Sequence, residues 1–310
     1  MSTGPVPPPG PHGGDGARVA AALGLDPGTV LDLSASLNPF APDVVALARR
    51  HLDELRRYPD LELAEAALAS ALGVDRERVV LTAGGAQAIA LVAEHVGSGW
   101  VEDPDFGLYR RHLPRLDPAA PRWRSDPHNP TGRLAGPDEV AGVWDEAFLP
   151  LAAGTWTRGR AGWALGSLTK AFACPGLRLG YAVAPDGPAA GALRARRPVW
   201  AVSGLACALV LDLLPRADPV GWTAALAAAR AELAGVLSAH GLRPLPSEAP
   251  WLLVPGAGGL RDALARHGIV VRDCASFGLV DHVRIAVPDA GGLERLDRTL
   301  RRAAGARGGP

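Results

Sequence analysis

The amino-acid sequence predicts an α/β fold, in which a large mixed-sheet domain precedes a smaller α+β domain. Apolar runs of strand length alternate with segments whose apolar residues have helical spacing. Several apolar runs are followed by polar turns. In α/β sheets, ligands bind at such turns, beyond the carboxyl ends of the strands. Residues 251–304 follow the order β-α-β-β-α, which indicates the second domain. We therefore expect an N-terminal arm over residues 1–30, a large domain over 31–222 and a small C-terminal domain over 223–310.

The first elements follow from periodicity and from proline. Residues 19–25 predict a short helix, and residues 29–43 predict an extended segment interrupted by prolines. Residues 44–60 have the pattern of an amphipathic helix that Pro59 ends. A further helix is predicted over residues 61–72.

The clearest strand–turn–helix unit lies over residues 78–96, where an apolar run, a Gly-Gly turn and helical spacing follow one another. The other strands of the large domain are predicted within 99–106, 122–132, 141–148, 162–169 and 178–185. Residues 221–241 predict the longest helix, which Gly241 ends.

Composition narrows the class of protein. Basic and acidic residues balance at 32 each, which gives no support for a nucleic-acid or membrane partner. Cys174, Cys207 and Cys274 are odd in number and widely spaced, which is typical of a reduced cytosolic protein and not of a disulfide framework or a zinc site. No uninterrupted apolar run reaches the roughly 18 residues of a membrane span, and the N-terminus lacks an apolar signal region. We expect a cytoplasmic protein without a metal site.

Lys170 is the only lysine among the 32 lysine and arginine residues. A compositional drift towards arginine could have left it by chance, since the two residues are nearly equivalent on a solvated surface. Its amine, however, can lose a proton and attack a carbonyl carbon to form a Schiff base, which a guanidinium cannot do. Composition alone leaves both interpretations open. The polar loop around Lys170, between two predicted strands, favours the second.

Four polar clusters fall at predicted strand ends, where α/β folds bind ligands. TAGGAQAI, residues 82–89, could cradle a phosphate with backbone N–H groups or could be an ordinary tight turn. HNPTG, residues 128–132, is equally ambiguous by itself. Asp145 ends a buried strand and could pair with a pyridinium N–H or with a structural cation. Arg178 could clamp a phosphate at two points.

The order of these motifs resembles that of one enzyme family. GGAQAI, PDFGLY, HNPTG, DEAF and SLTKAFACPGLRLGY resemble the fold-type-I pyridoxal-phosphate enzymes of the aspartate aminotransferase superfamily. HGGD, LDLSASLNPFAP, RYPD and VRDCASFGL resemble the branch of threonine-phosphate decarboxylases of cobalamin biosynthesis and histidinol-phosphate aminotransferases. The resemblance runs from about His12 to Leu300. It implies an aspartate-aminotransferase-like fold, pyridoxal 5'-phosphate as cofactor, a phosphorylated amino acid as substrate, and a homodimer.

The resemblance assigns cofactor contacts in this sequence. Lys170 matches the Schiff-base lysine, Asp145 the carboxylate that keeps the ring nitrogen protonated, and Phe106 the aromatic residue stacked on the ring. Asn129 matches the residue bonded to the ring 3-oxygen, and Tyr58 a tyrosine that reaches the cofactor phosphate of the neighbouring subunit. The residues that match the phosphate cup are Gly85, Ala86, Ser167, Thr169 and Arg178.

The same resemblance assigns substrate contacts. Arg284 matches the arginine that binds the substrate carboxylate, and Arg272 a second anion-binding arginine. His12, on the arm, matches a histidine near the substrate phosphate, and Ser36 stands in place of an asparagine near the substrate. A tyrosine commonly occupies the position of Phe148 in the aminotransferase branch, so Phe148 favours the decarboxylase branch.

The sequence departs from the family pattern in composition and in length. His128 stands where the family usually has an asparagine, and Gly166 where an arginine is common. The intervals Phe106–Asn129 and Asn129–Asp145 are short for a full strand–helix–strand crossover. The connection alone needs about 10–12 residues, and the strands need further residues in addition. We expect parts of one or two layers beside the cofactor to be missing.

Three functional hypotheses follow. The first is pyridoxal-phosphate-dependent decarboxylation of an O-phosphorylated amino acid, by analogy L-threonine O-3-phosphate. The second is an aminotransferase that acts on a phosphorylated amino acid such as histidinol phosphate. The third is a degenerate, non-catalytic fold, which the short intervals favour and the retained Lys170, Asp145 and Arg178 oppose.

Overall fold

A computed structural model describes residues 4–305, with side chains up to residue 302. The α-helices are α1 (Gly16–Leu23), α2 (Val44–Ala48), α3 (Glu62–Leu72), α4 (Gly85–Val96), α5 (Leu108–His112), α6 (Leu168–Ala171), α7 (Gly187–Arg196), α8 (Gly204–Leu213), α9 (Pro219–Ala239), α10 (Leu260–Ala265) and α11 (Ala290–Gly305). The strands are β1 (Leu31–Leu33), β2 (Val79–Thr82), β3 (Trp100–Val101), β4 (Arg122–Ser125), β5 (Val143–Asp145), β6 (Trp163–Gly166), β7 (Gly180–Val183), β8 (Trp251–Val254), β9 (Ile269–Asp273) and β10 (Val283–Ala286).

The chain forms two compact units. The central unit comprises Phe40–Asn129 and Leu134–Thr223. The terminal unit comprises the described parts of Met1–Pro39, Pro130–Arg133 and Ala224–Pro310. Each unit has its own sheet.

The sheet of the central unit has six strands in the order β2-β7-β6-β5-β4-β3. Strands β3 to β6 run parallel, and β7 is antiparallel to both of its neighbours, β6 and β2. The carboxyl ends of all the strands except β7 therefore lie at one edge, together with the start of β7. This is the edge where an α/β sheet binds ligands.

One face of this sheet is covered by helices. Helix α4 lies against β6 and β7 and contacts α5 and α7. The core beneath these helices contains buried side chains from both the helices and the strands, among them Ile89, Tyr109, Trp123, Leu165 and Leu193. Burying a large apolar side chain contributes about 1.5–3 kcal/mol, so this cluster stabilises the packing of the helices on the sheet.

Two connections between parallel strands lack a covering helix; the first of them lies mostly within the short interval Asn129–Asp145, while the second was not predicted, and the interval Phe106–Asn129 contains α5. Residues 126–142 join β4 to β5, and residues 146–162 join β5 to β6; within these two stretches the structure has only the 3₁₀ turn Leu149–Leu151. Parallel strands are ordinarily joined through a helix that covers the sheet. Here loops take that place.

Trp144 shows how these loops cover the sheet. The Arg160 guanidinium lies 3.9 Å from the centre of a Trp144 ring, and Ala135 and Ala141 pack against the same side chain. The fully buried Asp126 orders the loops, because it pairs with Arg160 at 2.7 Å and accepts the N–H of Ala135 at 2.8 Å. A buried carboxylate is stable only when it is paired in this way.

The sheet of the terminal unit has the order β1-β9-β10-β8. Strand β1 pairs in parallel with β9, with Leu31 opposite Ile269. The other pairs are antiparallel. The predicted β-α-β-β-α order over 251–304 is present as β8, α10, β9, β10 and α11. The expected large domain began at residue 31 and so included β1, but β1 pairs with β9 of the C-terminal sheet. The strand partner of β1 depends on distant residues, so its own sequence does not reveal it.

Part of the N-terminal segment is bound within the terminal unit. The Arg272 guanidinium donates to the carbonyls of Gly10 at 2.7 Å and Pro11 at 2.6 Å. Arg261 donates to the carbonyl of Pro7 at 2.9 Å. Proline-rich backbone cannot form a helix or a central strand, so side-chain donors satisfy its carbonyls instead.

Two helix predictions differ from the structure. In place of one helix over 44–60, α2 is followed by the 3₁₀ helix Arg49–Arg56. The amphipathic pattern predicts burial of one face, but Leu52 and Leu55 are 51% and 65% exposed, so packing does not hold an α-helix there. Helices α7 and α8 lie in a segment for which no helix was predicted.

One described helix, α9, is long and apolar enough to cross a membrane by length and composition alone, with a mean hydropathy of 1.2 over its best window. A core helix of a soluble protein passes the same test, so one such helix is weak evidence for a membrane span. The search of the sequence for an uninterrupted apolar run does not find this helix, because Arg230 and Glu232 lie inside it.

Candidate active site

The strand ends bring the predicted cofactor residues of the central unit to one edge. Ser125 at the end of β4 is opposite Asp145 at the end of β5. Gly166 at the end of β6 is opposite Tyr181, and Thr82 at the end of β2 is opposite Gly180. The loops that follow these ends carry the phosphate-binding, ring-binding and lysine motifs of the sequence.

The loop that carries Lys170 is closed by Thr169. Both the backbone N–H and the hydroxyl of Thr169 donate to the carbonyl of Leu179, at 3.1 and 3.0 Å. Between these residues, Ala173 and Arg178 have positive φ angles of 49° and 56°, which are uncommon for residues with a side chain and occur where the surrounding structure enforces them. The Thr169 hydroxyl thus holds the loop ends together, and its place in the phosphate cup stays a prediction.

A cradle forms between Gly84 and Arg178. Gly84 has φ +87°, and a Cβ atom there would lie 2.5 Å from Nη2 of Arg178. A Cβ on Gly180 would lie 2.4 Å from the Gly84 carbonyl carbon. The next residue, Gly85, begins α4, so the cradle joins free N–H groups of a helix start to a guanidinium. This combination binds phosphate well.

Ala86 and Ser167 are the other two predicted members of the cup. Ala86 is the second residue of α4 and is partly buried. Ser167 is buried at the N-cap of α6, and its side chain forms no cap hydrogen bond there. A Cβ on Gly85 would lie 3.8 Å from the Ser167 Cβ, so the two motifs are neighbours.

The structure explains why residue 166 is a glycine in this chain, where an arginine is common in the family that the sequence resembles. A Cβ on Gly166 would lie 2.0 Å from Cζ of Tyr181, so the phenol ring occupies the space of any side chain there. The Tyr181 ring is 2% exposed, and its hydroxyl donates to the carbonyl of Trp156 at 3.3 Å. The sequence departure therefore accompanies a buried tyrosine on the next strand.

The Asp145 carboxylate is fixed at both oxygens. Tyr109 donates its O–H to Oδ2 at 2.7 Å, and the Ala147 backbone N–H donates to Oδ1 at 3.0 Å. Burial raises the pKa of Asp145 to about 6, while the Tyr109 and Ala147 hydrogen bonds and the positive charge of Lys170 act in the opposite direction. An oriented, partly desolvated carboxylate suits the ring nitrogen of a cofactor.

A second carboxylate, Asp105, ties the predicted ring contacts together. Its Oδ1 accepts the Ser125 hydroxyl at 2.6 Å and the Phe106 N–H at 2.6 Å. The Ser125 oxygen in turn accepts the N–H of Asn129 at 2.8 Å. Burial raises the pKa of Asp105 to about 6, and the bonds from Ser125 and Phe106 oppose this rise. Asp105 therefore holds the backbone of Phe106 directly and that of Asn129 through Ser125.

Phe148 lies beside the lysine. The Lys170 Nζ is 5.7 Å from the centre of the Phe148 ring, within the range of a cation–π contact. Residue 148 thus presents to Lys170 an aromatic ring without a hydroxyl.

The predicted substrate arginines lie side by side in the terminal unit. Arg284 on β10 is opposite Arg272 on β9, and both are buried. Burial lowers the pKa of Arg284 to about 10; the positive charge of Arg272 acts in the same direction, and Cys274 opposes it. The Arg284 guanidinium lies 4.7 Å from the centre of a Trp251 ring. Adjacent buried cations repel each other, which favours an anion as their partner.

Arg272, however, also binds the N-terminal segment. Besides the carbonyls of Gly10 and Pro11, its guanidinium contacts the Ser276 hydroxyl at 2.6 Å. These bonds fix the backbone directly before His12, which is half-buried. The roles of Arg272 and His12 at a substrate stay predictions.

Ser36 is 1% exposed, and its Oγ has no hydrogen-bond partner among the described residues. Buried hydroxyls are nearly always paired, so this oxygen is a candidate ligand contact. The substrate role predicted for Ser36 is compatible with this feature.

Tyr58 lies on the surface of the central unit, 77% exposed. Its ring stacks on Trp200 with centroids 4.3 Å apart and planes 29° apart. Trp200 is itself 56% exposed. The stack fixes the direction of Tyr58, while its expected contact with a neighbouring subunit stays a prediction.

The central unit fits pyridoxal phosphate. The cradle at Gly84 is closed by Arg178 and would be filled by any Cβ, which suits a close approach of phosphate oxygens. The oriented Asp145 carboxylate suits a cationic ring nitrogen, and Lys170 supplies the amine. The residues expected at the cofactor all lie in this one unit. Tyr58 is one of them, and it is expected to reach the cofactor of another subunit.

Sequence reasoning missed three members of the site: Tyr109, Asp105 and Ser125. The motif PDFGLY contains the first two, but only Phe106 was singled out there. Their position in PDFGLY, close to Phe106, was the available signal for Asp105 and Tyr109. Ser125 precedes HNPTG and has no signal of its own.

Comparison with known proteins identifies the family and the fold. Residues 125–302 match the family model "Aminotransferase class I and II". A histidinol-phosphate aminotransferase from Halobacterium salinarum is 30% identical over 91% of this chain and 93% of its own. The threonine-phosphate decarboxylase of Salmonella typhimurium is 29% identical over 94% and 95%.

Solved structures show the same fold. Histidinol-phosphate aminotransferase from Sinorhizobium meliloti, in complex with pyridoxal-5'-phosphate, superimposes with a TM-score of 0.81 at 20% identity, over 97% of this chain and 96% of that one. L-threonine-O-3-phosphate decarboxylase from Porphyromonas gingivalis gives 0.71 at 21% identity, over 87% and 98%. The expected aspartate-aminotransferase-like fold of type I and the expected cofactor are confirmed. The chain belongs to the aminotransferase class I and II family.

Proposed function

We propose that this pyridoxal-phosphate-dependent enzyme decarboxylates an O-phosphorylated amino acid, with L-threonine O-3-phosphate as the substrate. The observation that carries the choice of reaction is Phe148, whose ring lies 5.7 Å from Lys170 Nζ. The aminotransferase branch, by resemblance, commonly has a tyrosine there. The absence of that hydroxyl supports the decarboxylase reaction.

The residues of the central unit have separate tasks in this proposal. When bound, pyridoxal phosphate supplies an electron sink for the pair left on the substrate carbon. The Asp145 carboxylate would hold a proton at the ring nitrogen, and Lys170 would bind the aldehyde carbon through Nζ. The N–H groups at the start of α4 and the Arg178 guanidinium would bind the phosphate, and Phe106 would stack on the ring.

The terminal unit would bind the anionic substrate. Arg284 is buried, so an anion bound to it is screened little by solvent. Ser36 Oγ, which has no partner among the described residues, would donate to the substrate. His12 would bind the substrate phosphate, which leaves the carboxylate free to depart as carbon dioxide.

A second candidate reaction is transamination of a phosphorylated amino acid such as histidinol phosphate. The names of several relatives favour it, including the Halobacterium salinarum enzyme at 30% identity. A planar guanidinium such as that of Arg284 could hold a substrate carboxylate in place equally well for this reaction.

We further propose a cytoplasmic homodimer with a role in cobalamin biosynthesis. The exposed stack of Tyr58 on Trp200 supports the dimer, because two large aromatic side chains with 77% and 56% exposure are unusual on a monomer surface. The biosynthetic role rests on the substrate alone.

Supplying threonine phosphate by itself tests the reaction. The proposal predicts release of carbon dioxide and formation of aminopropanol phosphate without any 2-oxo acid. Turnover that requires 2-oxoglutarate and accumulates glutamate would instead establish the aminotransferase. Histidinol phosphate with 2-oxoglutarate is the matched assay for that alternative.

A further inference from the structure

Tyr109 is a buried tyrosine that no sequence motif assigned to the site. It lies on α5, and its side chain is fully buried. Its ring meets Phe106 edge to face, with centroids 5.7 Å apart and planes at 84°, and packs on Trp123 at 5.6 Å. These contacts fix the orientation of the Tyr109 ring, and the hydroxyl points to Asp145 at the end of β5.

The hydroxyl forms a short bond to Asp145. The distance from Oη to Oδ2 is 2.7 Å, which is typical of an O–H donor to a carboxylate. The Ala147 N–H holds Oδ1 at 3.0 Å. Since each carboxylate oxygen has one donor, the plane of the group is fixed and the remaining lone pairs stay available.

The groups that face Asp145 come from several elements. Tyr109 on α5 donates to it, Asp105 after β3 repels its negative charge, and Lys170 on α6 attracts it. Tyr181 on β7 is close enough for the Asp145 charge to affect it, but the Tyr181 hydroxyl donates to Trp156. Tyr109 therefore differs from Tyr181 in contacting Asp145 directly.

We propose that Tyr109 is a positioning residue, which fixes the plane of the Asp145 carboxylate at the ring nitrogen and favours its ionised form. The same ring supports Phe106, so one side chain aligns the ring-stacking residue and the ring-nitrogen partner. The proposal rests on the cofactor-binding role proposed for Asp145. Loss of the hydroxyl would leave Asp145 with a donor at one oxygen only.

Two matched variants test this. Tyr109→Phe removes the bond to Asp145 and keeps the ring that packs on Trp123. Tyr181→Phe removes an equally buried hydroxyl that bonds elsewhere. The full chain, labelled with carboxyl-¹³C aspartate, is titrated by NMR with the cofactor removed, and Asp145→Asn assigns the signal.

Tyr109→Phe is expected to raise the pKa of Asp145 by about one unit, since a hydrogen bond to the charged form is lost. Tyr181→Phe is expected to change it by less than about a third of that. Equal shifts in the two variants, or none in Tyr109→Phe, would overturn the proposal. This titration needs no bound cofactor, so failure of the proposed function would not affect it.

The loaded enzyme gives an independent readout. Tyr109→Phe is expected to lower kcat about tenfold at neutral pH and to move the acid limb of the kcat profile about one pH unit higher, with KM within about twofold. A merely structural role would lower the folded fraction and leave the position of the limb unchanged, and that result would contradict the proposal.

Discussion

The Arg178 guanidinium occupies the space directly over Gly84, where a Cβ atom would approach Nη2 to 2.5 Å. Gly84 has φ 87° and ψ 164°, a region that is essentially restricted to glycine. The close approach and the backbone angles together form the cradle at the start of α4. The shape of the cradle therefore depends on the backbone at Gly84 as well as on the Arg178 side chain.

Gly84→Ala is expected to weaken pyridoxal phosphate binding at least about tenfold and to lower the free energy of unfolding by about 1–3 kcal/mol. Fluorescence titration with the cofactor and urea unfolding measure the two effects. Gly176→Ala is the control, because Gly176 lies in the same loop as Arg178 and a Cβ there would meet no atom within 4 Å. Unchanged cofactor affinity in Gly84→Ala would contradict the assigned cradle.

Gly166→Ala is expected to destabilise the protein by about 1–3 kcal/mol, because the new Cβ overlaps the buried Tyr181 ring and overpacks the sheet edge. Urea unfolding at neutral pH measures this. Gly191→Ala provides the comparison: Gly191 lies in α7 with open space around it, so alanine there is expected to stabilise by about 0.5–1 kcal/mol. Equal effects of the two substitutions would argue against the contact with Tyr181.

Asp145 is expected to make the cofactor-free protein less stable as the pH rises. Its pKa is raised from 3.8 to about 6, so the folded state binds the proton more tightly than the unfolded state. The resulting loss of stability is absent below the unfolded pKa and complete above the folded one. Asp145→Asn removes this loss, and relative to the wild type it is expected to gain about 2–3 kcal/mol between pH 4 and pH 7.5. A difference between the two proteins that is the same at both pH values would refute the assignment.

Arg272→Ala is expected to release the N-terminal segment. The substitution removes the donors to Gly10 and Pro11, so backbone amides around His12 should exchange with solvent at least about tenfold faster. Hydrogen exchange followed by mass spectrometry of the N-terminal peptide measures this. Arg266→Ala is the control, since Arg266 donates to the carbonyl of Gly4 at 3.3 Å, farther from His12 along the segment. Exchange that responds to both substitutions alike would show that Arg272 has no special hold on the segment.

Patterns local in the chain predicted the strand ends well. The turns after β2, β4, β5 and β6 were each predicted from polar residues that follow an apolar run, and the parallel strands bring them to one edge. Side-chain partners from distant segments could not be predicted this way. The bond from Tyr109 to Asp145 and the pairing of β1 with β9 depend on packing between segments that carry no mutual signal in one sequence.

The helices α7 and α8 show a different limit. Their caps were visible in principle, because Asp186 and Ser203 each accept a backbone N–H of the first turn. The residues of α7 are rich in glycine, alanine and arginine, so no apolar periodicity marked it as a helix. In α8 the residues are apolar on nearly all sides, which hides the period of a buried helix.

The covalent attachment of the cofactor to Lys170 tests the central claim most directly. The holoenzyme is reduced with borohydride, digested and mapped by mass spectrometry, with Lys170→Arg as the control. Because Lys170 is the only lysine in the chain, the side-chain amine that could carry the reduced cofactor is unique. We predict stoichiometric pyridoxyl modification of the peptide that contains Lys170, and none in Lys170→Arg. A holoenzyme whose Lys170 peptide is unmodified after reduction would contradict the account.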